Sequence, residues 1–187
     1  NFYASATRGF KSGGWNARGT TPDQLLNFDA EKVWSYEIGM RSIWFDNRLR
    51  ANVTAFYTDV SDFQIPSAFL AQTGQVQFIT RNFADLENKG IEFELVANPV
   101  DSLTLLANVG FQDAEYQNLA PEVQAQQAAC LGGTTASCNQ GIVTPDGSIA
   151  DPARVPDYTA TVGALYTFEI GNGFEVEPAA YLYSLGD

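Results

Sequence analysis

Histidine is absent from this 187-residue chain, and cysteine is limited to Cys130 and Cys138. Every Ser-His-Asp and Cys-His catalytic arrangement is thereby excluded, as are most zinc sites, which draw on His or on several Cys. Basic residues are scarce as well: 10 Lys and Arg stand against 22 Asp and Glu, for a net charge of −12. Nucleic-acid binding needs a basic footprint, so that class is excluded too. The acidity is spread over loops and polar strand positions, which reads as solvated surface. No run approaches the roughly 18 apolar residues of a membrane helix. Neither a metal site nor a cofactor is expected, and no catalytic constellation is visible, so an enzyme is the least expected reading.

What the chain does have is a rhythm. Short turns at Asp46-Asn47, Asn98 to Ser102 and Glu169 to Gly173 alternate with long polar loops at Lys11 to Ala30, Gln64 to Arg81 and Gln117 to Pro152. Between them lie segments of alternating apolar and polar residues, each near the roughly 10 residues of a tilted transmembrane strand. A transmembrane barrel keeps short turns on its periplasmic side and longer loops outside. The fold class expected is therefore all-β, a transmembrane antiparallel barrel of up-and-down strands. A soluble sandwich of seven strands is the alternative, but it has no need of such asymmetry.

Register tests the hairpins, because a slip of one residue moves a strand's whole apolar set to the other face. Around Asp46-Asn47 the expected pairs are Trp44/Leu49, Ser42/Ala51, Met40/Val53, Ile38/Ala55 and Tyr36/Tyr57 on one face. The other face pairs Ile43/Arg50, Arg41/Asn52, Gly39/Thr54 and Glu37/Phe56. Around Asn98 to Ser102 the expected pairs are Ala97/Leu103, Leu95/Leu105, Phe93/Ala107 and Ile91/Val109. The third hairpin is expected to pair Phe168/Phe174, Tyr166/Val176 and Val162/Ala180, with Pro178 weakening its strand. Asn1 to Phe10 adds a further strand, giving seven. An odd count cannot close a single-chain bacterial barrel, and with the abrupt ends it reads as a fragment. Aromatics at segment ends, such as Trp44, Phe45, Tyr166, Phe168, Phe174, Trp34 and Tyr116, suit the two headgroup zones.

Cys130 and Cys138 share the longest loop. In an oxidising compartment they are expected to form a local disulfide; a two-thiolate metal site or two free thiols are the alternatives.

Several strings resemble TonB-dependent outer-membrane receptors. They are Tyr3-Ala4-Ser5-Ala6-Thr7-Arg8-Gly9-Phe10-Lys11-Ser12-Gly13-Gly14-Trp15-Asn16, Phe28 to Val33 running into Tyr36 to Arg41, Ala55 to Val60 with Phe63-Gln64, Asn88 to Glu94, and Val155 to Ala160. They follow the family's order and cover most of the chain except the long loops. The resemblance implies about seven strands of a plugged barrel of about 22, with residues 1–187 a partial barrel domain and the plug, early strands and final strands absent. It further implies the outer membrane of a Gram-negative bacterium and active uptake of a scarce nutrient, typically a ferric siderophore. The partners would be that ligand, outer-membrane lipid or lipopolysaccharide, and the TonB complex through the plug. A porin or adhesin barrel outside the TonB system is the alternative function, and a soluble sandwich binding glycan or protein is another.

If the apolar faces meet lipid, Glu37, Arg41, Arg50, Asn52, Glu92 and Glu94, with Glu175 and Glu177, face the lumen and the plug. Ligand contacts are expected from the outer loops. Trp15 and Arg18 suit an anionic, partly aromatic ligand, and Phe69, Gln72 and Gln75 could add apolar and amide contacts.

Overall fold

The structure, a computed structural model, describes residues 1–16, 26–70, 76–134, 138 and 141–186, with the backbone alone for residues 69, 70, 76 and 77. In chain order the elements are β1 (Phe2–Lys11), β2 (Gly14–Trp15), β3 (Asn27–Phe28), β4 (Glu31–Trp44), β5 (Leu49–Leu70), β6 (Val76–Val100), β7 (Leu103–Gln117), α1 (Pro121–Leu131), β8 (Tyr158–Tyr166), β9 (Phe168–Ile170), β10 (Phe174–Val176) and β11 (Ala179–Gly186). Seven of them form one antiparallel up-and-down sheet, β1-β4-β5-β6-β7-β8-β11, open at both edges; β2/β3 and β9/β10 are small separate ribbons. This is the strand count and arrangement that the alternation predicts, a segment of barrel wall. No helix among the described residues is long and apolar enough to cross a membrane.

The first hairpin has the expected register throughout, from Tyr36↔Tyr57 to Trp44↔Leu49. Its turn places Asp46 and Asn47 at φ 54° and 70°, and the Arg48 amide donates to the Phe45 carbonyl at 3.0 Å. Positive φ at both central positions matches the right-handed strand twist.

The second and third hairpins differ from expectation by two residues. Ala97 pairs with Leu105, Leu95 with Ala107 and Phe93 with Val109. The cause is a bulge between Ala97 and Val100: the chain turns at Asp101-Ser102, so the stretch around Pro99 lies within the strand end. In the third hairpin Ile170 pairs with Phe174 and Phe168 with Val176, and Val162 meets Leu182. The ladder is interrupted at Thr167 and at Glu177-Pro178, but the Pro178 carbonyl still accepts the Tyr166 amide at 3.1 Å. A shift of two keeps every residue on its face, so the apolar and polar faces stay as expected.

Two of the long loops are more ordered than their composition suggests. Gln64 to Arg81 is mostly strand: β5 and β6 continue as a long hairpin to Leu70↔Val76, past bulges between Val60 and Gln64 where Asp62 adopts φ 57°. Beyond Lys32↔Ser61, β4 no longer pairs with β5. Pro66 therefore sits in a stretch with one strand neighbour instead of two, where a missing donor is tolerated. Gln117 to Pro152 contains α1. Pro121 opens it, Glu122 occupies its first turn, and Gln and Ala fill its body, all favourable choices. It ends in paired bonds from Gly133 N–H to Cys130 C=O and from Thr134 N–H to Ala129 C=O, with Gly133 at φ 65°. Glycine at this left-handed position makes the helix stop cheaply.

The protein core lies at the long-loop end, outside the sheet's regular span. Ile65, Phe83, Ala84, Val123, Ile142 and Val143 are buried together, with Phe63, Tyr116, Leu119 and Ile149 against them. The core thus joins the β5–β6 extension to α1 and the segment after it, and we call this body the outer head.

Within the sheet, three glycines lie directly opposite aromatic residues on the polar face: Gly39 opposite Tyr3, Gly90 opposite Phe56 and Gly163 opposite Tyr181. The rings lie over the glycines so closely that an added Cβ would sit 2.5, 2.6 and 2.5 Å from them.

Candidate functional site

Two surfaces bear chemistry. The first is the polar face of the wall. Alternation places Glu37 and Arg41 on β4, Arg50, Asn52 and Thr54 on β5, and Glu92 and Glu94 on β6, and the registers make them neighbours. Together with Tyr3 they line a concavity of about 700 Å³. The Asn52 amide donates to Glu94 Oε2 at 3.0 Å, the Tyr3 and Thr54 hydroxyls are 2.9 Å apart, and the Arg41 guanidinium lies 5.2 Å from the centre of the Tyr3 ring. Among the described residues, none of these five charged side chains belongs to an ion pair; the five pairs present lie elsewhere. Asn52 Oδ1 is buried without a hydrogen-bond partner. A surface with exposed charge of both signs and an unused acceptor is suited to a polar partner of mixed charge.

Next to it lies a second, uncharged strip, where Asn108, Thr159, Thr161 and Tyr183 border a smaller hollow against Glu92 and Glu94. Glu175 opposes Glu169 in the β9/β10 ribbon, and Glu177 accepts the Thr167 hydroxyl at 3.2 Å. Both therefore lie at the short-turn end, apart from the concavity.

The second surface is the outer head, which holds the connection between β1 and β4 in two reciprocal locks. The Asn16 side chain donates to the Thr80 carbonyl at 2.9 Å and accepts the Thr80 amide at 2.8 Å. The Asn82 side chain does the same for Asp29, accepting its amide at 2.7 Å and donating to its carbonyl at 3.2 Å. Gln64 adds bonds from Nε2 to the Ser12 and Asp29 carbonyls, both 3.0 Å, while its amide donates to Glu31 Oε1 at 2.7 Å. Glu31 is buried and paired with Lys11 at 3.2 Å. A side-chain amide carries a donor and an acceptor side by side, so it can close a ring with the N–H and C=O of one residue as a strand neighbour would. Nothing in the sequence singles out Asn16, Gln64, Asn82 or Glu31 for these contacts, since isolated polar residues in polar loops carry no pattern.

Of the residues expected to touch ligand, Trp15 lies on β2 at the rim with 72 % of its surface exposed. Phe69 belongs to strand β5, not to a loop, because the hairpin continues past it. Arg18, Gln72 and Gln75 lie outside the described residues. Cys130, in the last turn of α1, is bonded to Cys138 with a Cα–Cα distance of 5.7 Å, and this ties the helix end to the following segment.

Beyond the disulfide, the hairpin Val143↔Ile149 is closed by a polar turn in which the Asp146 carboxylate accepts from the Thr144 hydroxyl and from the Ser148 amide and hydroxyl. These bonds, the Thr144 hydroxyl foremost, lower its pKa to about 2. Tyr116, on the same strand face as Gly110 and Gln112, enters the head's core. The segment after β7 therefore leans over the polar face of the wall.

The chain matches the family of TonB dependent receptor-like β-barrels over residues 1–186. Among solved structures it is similar to the ferric yersiniabactin uptake receptor FyuA from Yersinia pestis, at 18 % identity and a TM-score of 0.67, covering 99 % of this chain and 23 % of that one. It is also similar to BauA, the ferric preacinetobactin receptor from Acinetobacter baumannii, at 15 % identity and a TM-score of 0.59, covering 98 % of this chain and 23 % of that one. The copper transporter OprC has the same fold, at 13 % identity and a TM-score of 0.59, covering 98 % and 24 %. The chain thus spans about a quarter of the length of these proteins. Matched by the family across all but its last residue, and folded as an open run of that barrel's strands, this chain belongs to the TonB-dependent receptor-like β-barrel family.

Proposed function

We propose that this chain is a later stretch of the barrel of a TonB-dependent receptor that imports a scarce nutrient across the outer membrane of a Gram-negative bacterium. Within it, residues 1–187 form part of the barrel domain, and the plug and remaining strands lie elsewhere in the full-length protein. The observation that carries this reading is the wall's two-sidedness. One face is apolar over a membrane's depth, and the other presents Glu37, Arg41, Arg50, Glu92 and Glu94 without ion-pair partners among the described residues. Charges of both signs on the inward face suit contact with a plug, through which the TonB complex would act. The outward face would meet lipid and, near the outer rim, lipopolysaccharide. Such a protein is a transporter and not an enzyme.

A ferric siderophore is the cargo that fits best, as the names of two of the similar structures suggest. Trp15, exposed at the rim, would supply stacking, and Arg18, Phe69, Gln72 and Gln75, singled out by the sequence, would add charge, apolar and amide contacts. A bare metal ion fits less well. The chain has no His, both cysteines are bonded to each other, and the described residues hold no metal-sized cluster of acidic residues.

The test is uptake of radioactive iron, offered as ferric siderophore complexes, by cells with and without the full-length gene. Loss of uptake on deletion, and again on removal of TonB in the intact strain, is expected. Unchanged iron uptake alongside failure on another nutrient would overturn the cargo; import that persists without TonB would overturn the receptor reading.

A further inference from the structure

Positive charge is spread very unevenly along this chain. Nine of its ten Lys and Arg precede Gly90; from there to Asp187, Arg154 stands alone against thirteen Asp and Glu. Asymmetry of this kind bears on partners and not on fold. The topology turns it into a barrel side of one sign. Strands β7, β8 and β11 contain no Lys or Arg. On β6, beside them, Lys89 lies on the apolar face opposite Tyr57 and is bonded to Glu87 and Asp113.

The carboxylates of this side follow the passage from one end to the other. Residues 117–152, part of the segment that leans over the polar face, hold Glu122, Asp146 and Asp151 and no Lys or Arg. Asp146 is ionised at neutral pH, since its hydroxyl and amide donors hold its pKa at about 2. Glu92 and Glu94 follow at mid-height. There the hollow bordered by Asn108, Thr159, Thr161 and Tyr183 offers hydroxyl and amide groups but no cation. Glu175 and Glu177 stand at the short-turn end. Two buried acceptors on the same polar face, Asn52 Oδ1 and Asn88 Oδ1, have no hydrogen-bond partner and are suited to donors. The inward arginines Arg41 and Arg50 sit on β4 and β5 close to the first turn, at the end farthest from the outer head.

A passage lined by one sign of charge focuses its field along the bore, attracts ions of the other sign and repels ions of its own. Like charges brought together in recognition exclude the wrong partner. This side of the barrel therefore suits cargo that brings no negative charge and has N–H or O–H groups to donate.

We propose that the cargo is a ferric complex of zero or positive net charge, of the tris-hydroxamate class, and that a tris-catecholate is rejected. Three singly charged hydroxamates cancel the charge of iron(III), whereas three doubly charged catecholates leave a trianion. The neutral complex passes the head, Glu92 and Glu94 without repulsion; the trianion meets like charge at each level. This inference rests on the ferric siderophore reading above and narrows it.

The experiment uses cells whose only ferric receptor is the full-length protein. Three complexes of radioactive iron are offered separately: a neutral tris-hydroxamate, a tris-hydroxamate bearing an added ammonium group, and a tris-catecholate. The first two should enter several-fold faster than the third. Equal or faster entry of the tris-catecholate overturns the proposal and leaves the siderophore reading standing. Entry of none of the three overturns both. The double variant E122K/D151K then tests the head's part, since neither residue lies on the wall. It should raise tris-catecholate uptake several-fold while uptake of the neutral complex stays level, which also reports that the variant has assembled. Unchanged rejection of the tris-catecholate by an assembled variant would refute selection by charge at the head.

Discussion

Ile38 and Phe83 are both apolar residues on strands of one sheet, yet Ile38 is 63 % exposed and Phe83 only 3 %. Ile38 belongs to the wall, where apolar side chains have no protein neighbour on their outer side and a membrane is their solvent. Phe83 belongs to the outer head, where Val123, Ile142 and Val143 cover it as in a water-soluble protein. One chain therefore meets two hydrophobic environments, and each part should respond to a different kind of damage.

The largest effect is expected in the head. Phe83→Ala should cost about 3–5 kcal/mol of local stability, the usual range for emptying a packed aromatic site. Hydrogen exchange in α1 and in the β5–β6 extension should rise while the wall strands remain protected. Equal loss of protection in β4 and β7 would mean that the two regions are a single cooperative unit.

In the wall the sensitive property is charge and not volume. Val53→Arg, near the middle of the apolar band, should destabilise the barrel by about 2–4 kcal/mol, read from unfolding in denaturant. Thr54→Arg, one residue on and facing the polar side, should change little. The opposite order would show that the faces are reversed.

Removing the disulfide sharpens the comparison from the head's side. Closing so short a segment is worth about 2–3 kcal/mol in the chain-entropy account, so Cys130→Ser should loosen α1 and residues 141–149 without affecting barrel assembly. Mass spectrometry of the unreduced protein is the direct check. Two alkylatable thiols in freshly isolated membranes would refute the bridge.

The smallest effect concerns acid. Asp146 has a folded-state pKa lowered from 3.8 to about 2, so it favours the ordered Thr144–Ser148 turn at any pH above its ordinary value. That contribution is lost as pH falls through about 2, on protonation of the carboxylate. The Ser148 amide resonance should shift over that interval and stay constant between pH 5 and 8. A transition near pH 4 would mean that the turn does not hold the carboxylate.

The wall is far more legible in the sequence than the head, for a physical reason. Period-two alternation reports which face a residue occupies, and Asp46-Asn47 fixes the first register because that turn has no slack. Asn98-Pro99 and Thr167 with Pro178 introduce bulges or breaks, and a displacement of two residues leaves alternation unchanged, so the pattern cannot reveal it. In the β5–β6 extension, the bulge near Asp62 inverts the alternation and Pro66 suggests a loop. Helix α1 buries only Val123 among its 11 residues, so it has no apolar stripe to detect, although Pro121 and Gly132-Gly133 mark its ends. The Asn16–Thr80 and Asn82–Asp29 locks join residues more than fifty positions apart, and nothing local announces them. The charged cluster from Glu37 to Glu94 is legible as a shared face because ladder geometry alone creates it.

The rings that lie flat on Gly39, Gly90 and Gly163 have a consequence for the space the wall encloses. A tyrosine or phenylalanine standing upright on a barrel's inner surface would reach several ångströms toward the axis. Folded against a bare glycine opposite, it adds little more than the thickness of an aromatic ring. Three such pairs, on β1/β4, β5/β6 and β8/β11, keep the lining shallow at their own positions. An alanine at Gly39 or Gly163 would lift the ring away from the wall without a charge being changed, whereas at Gly90 it would also press on the Phe111 carbonyl of the neighbouring strand.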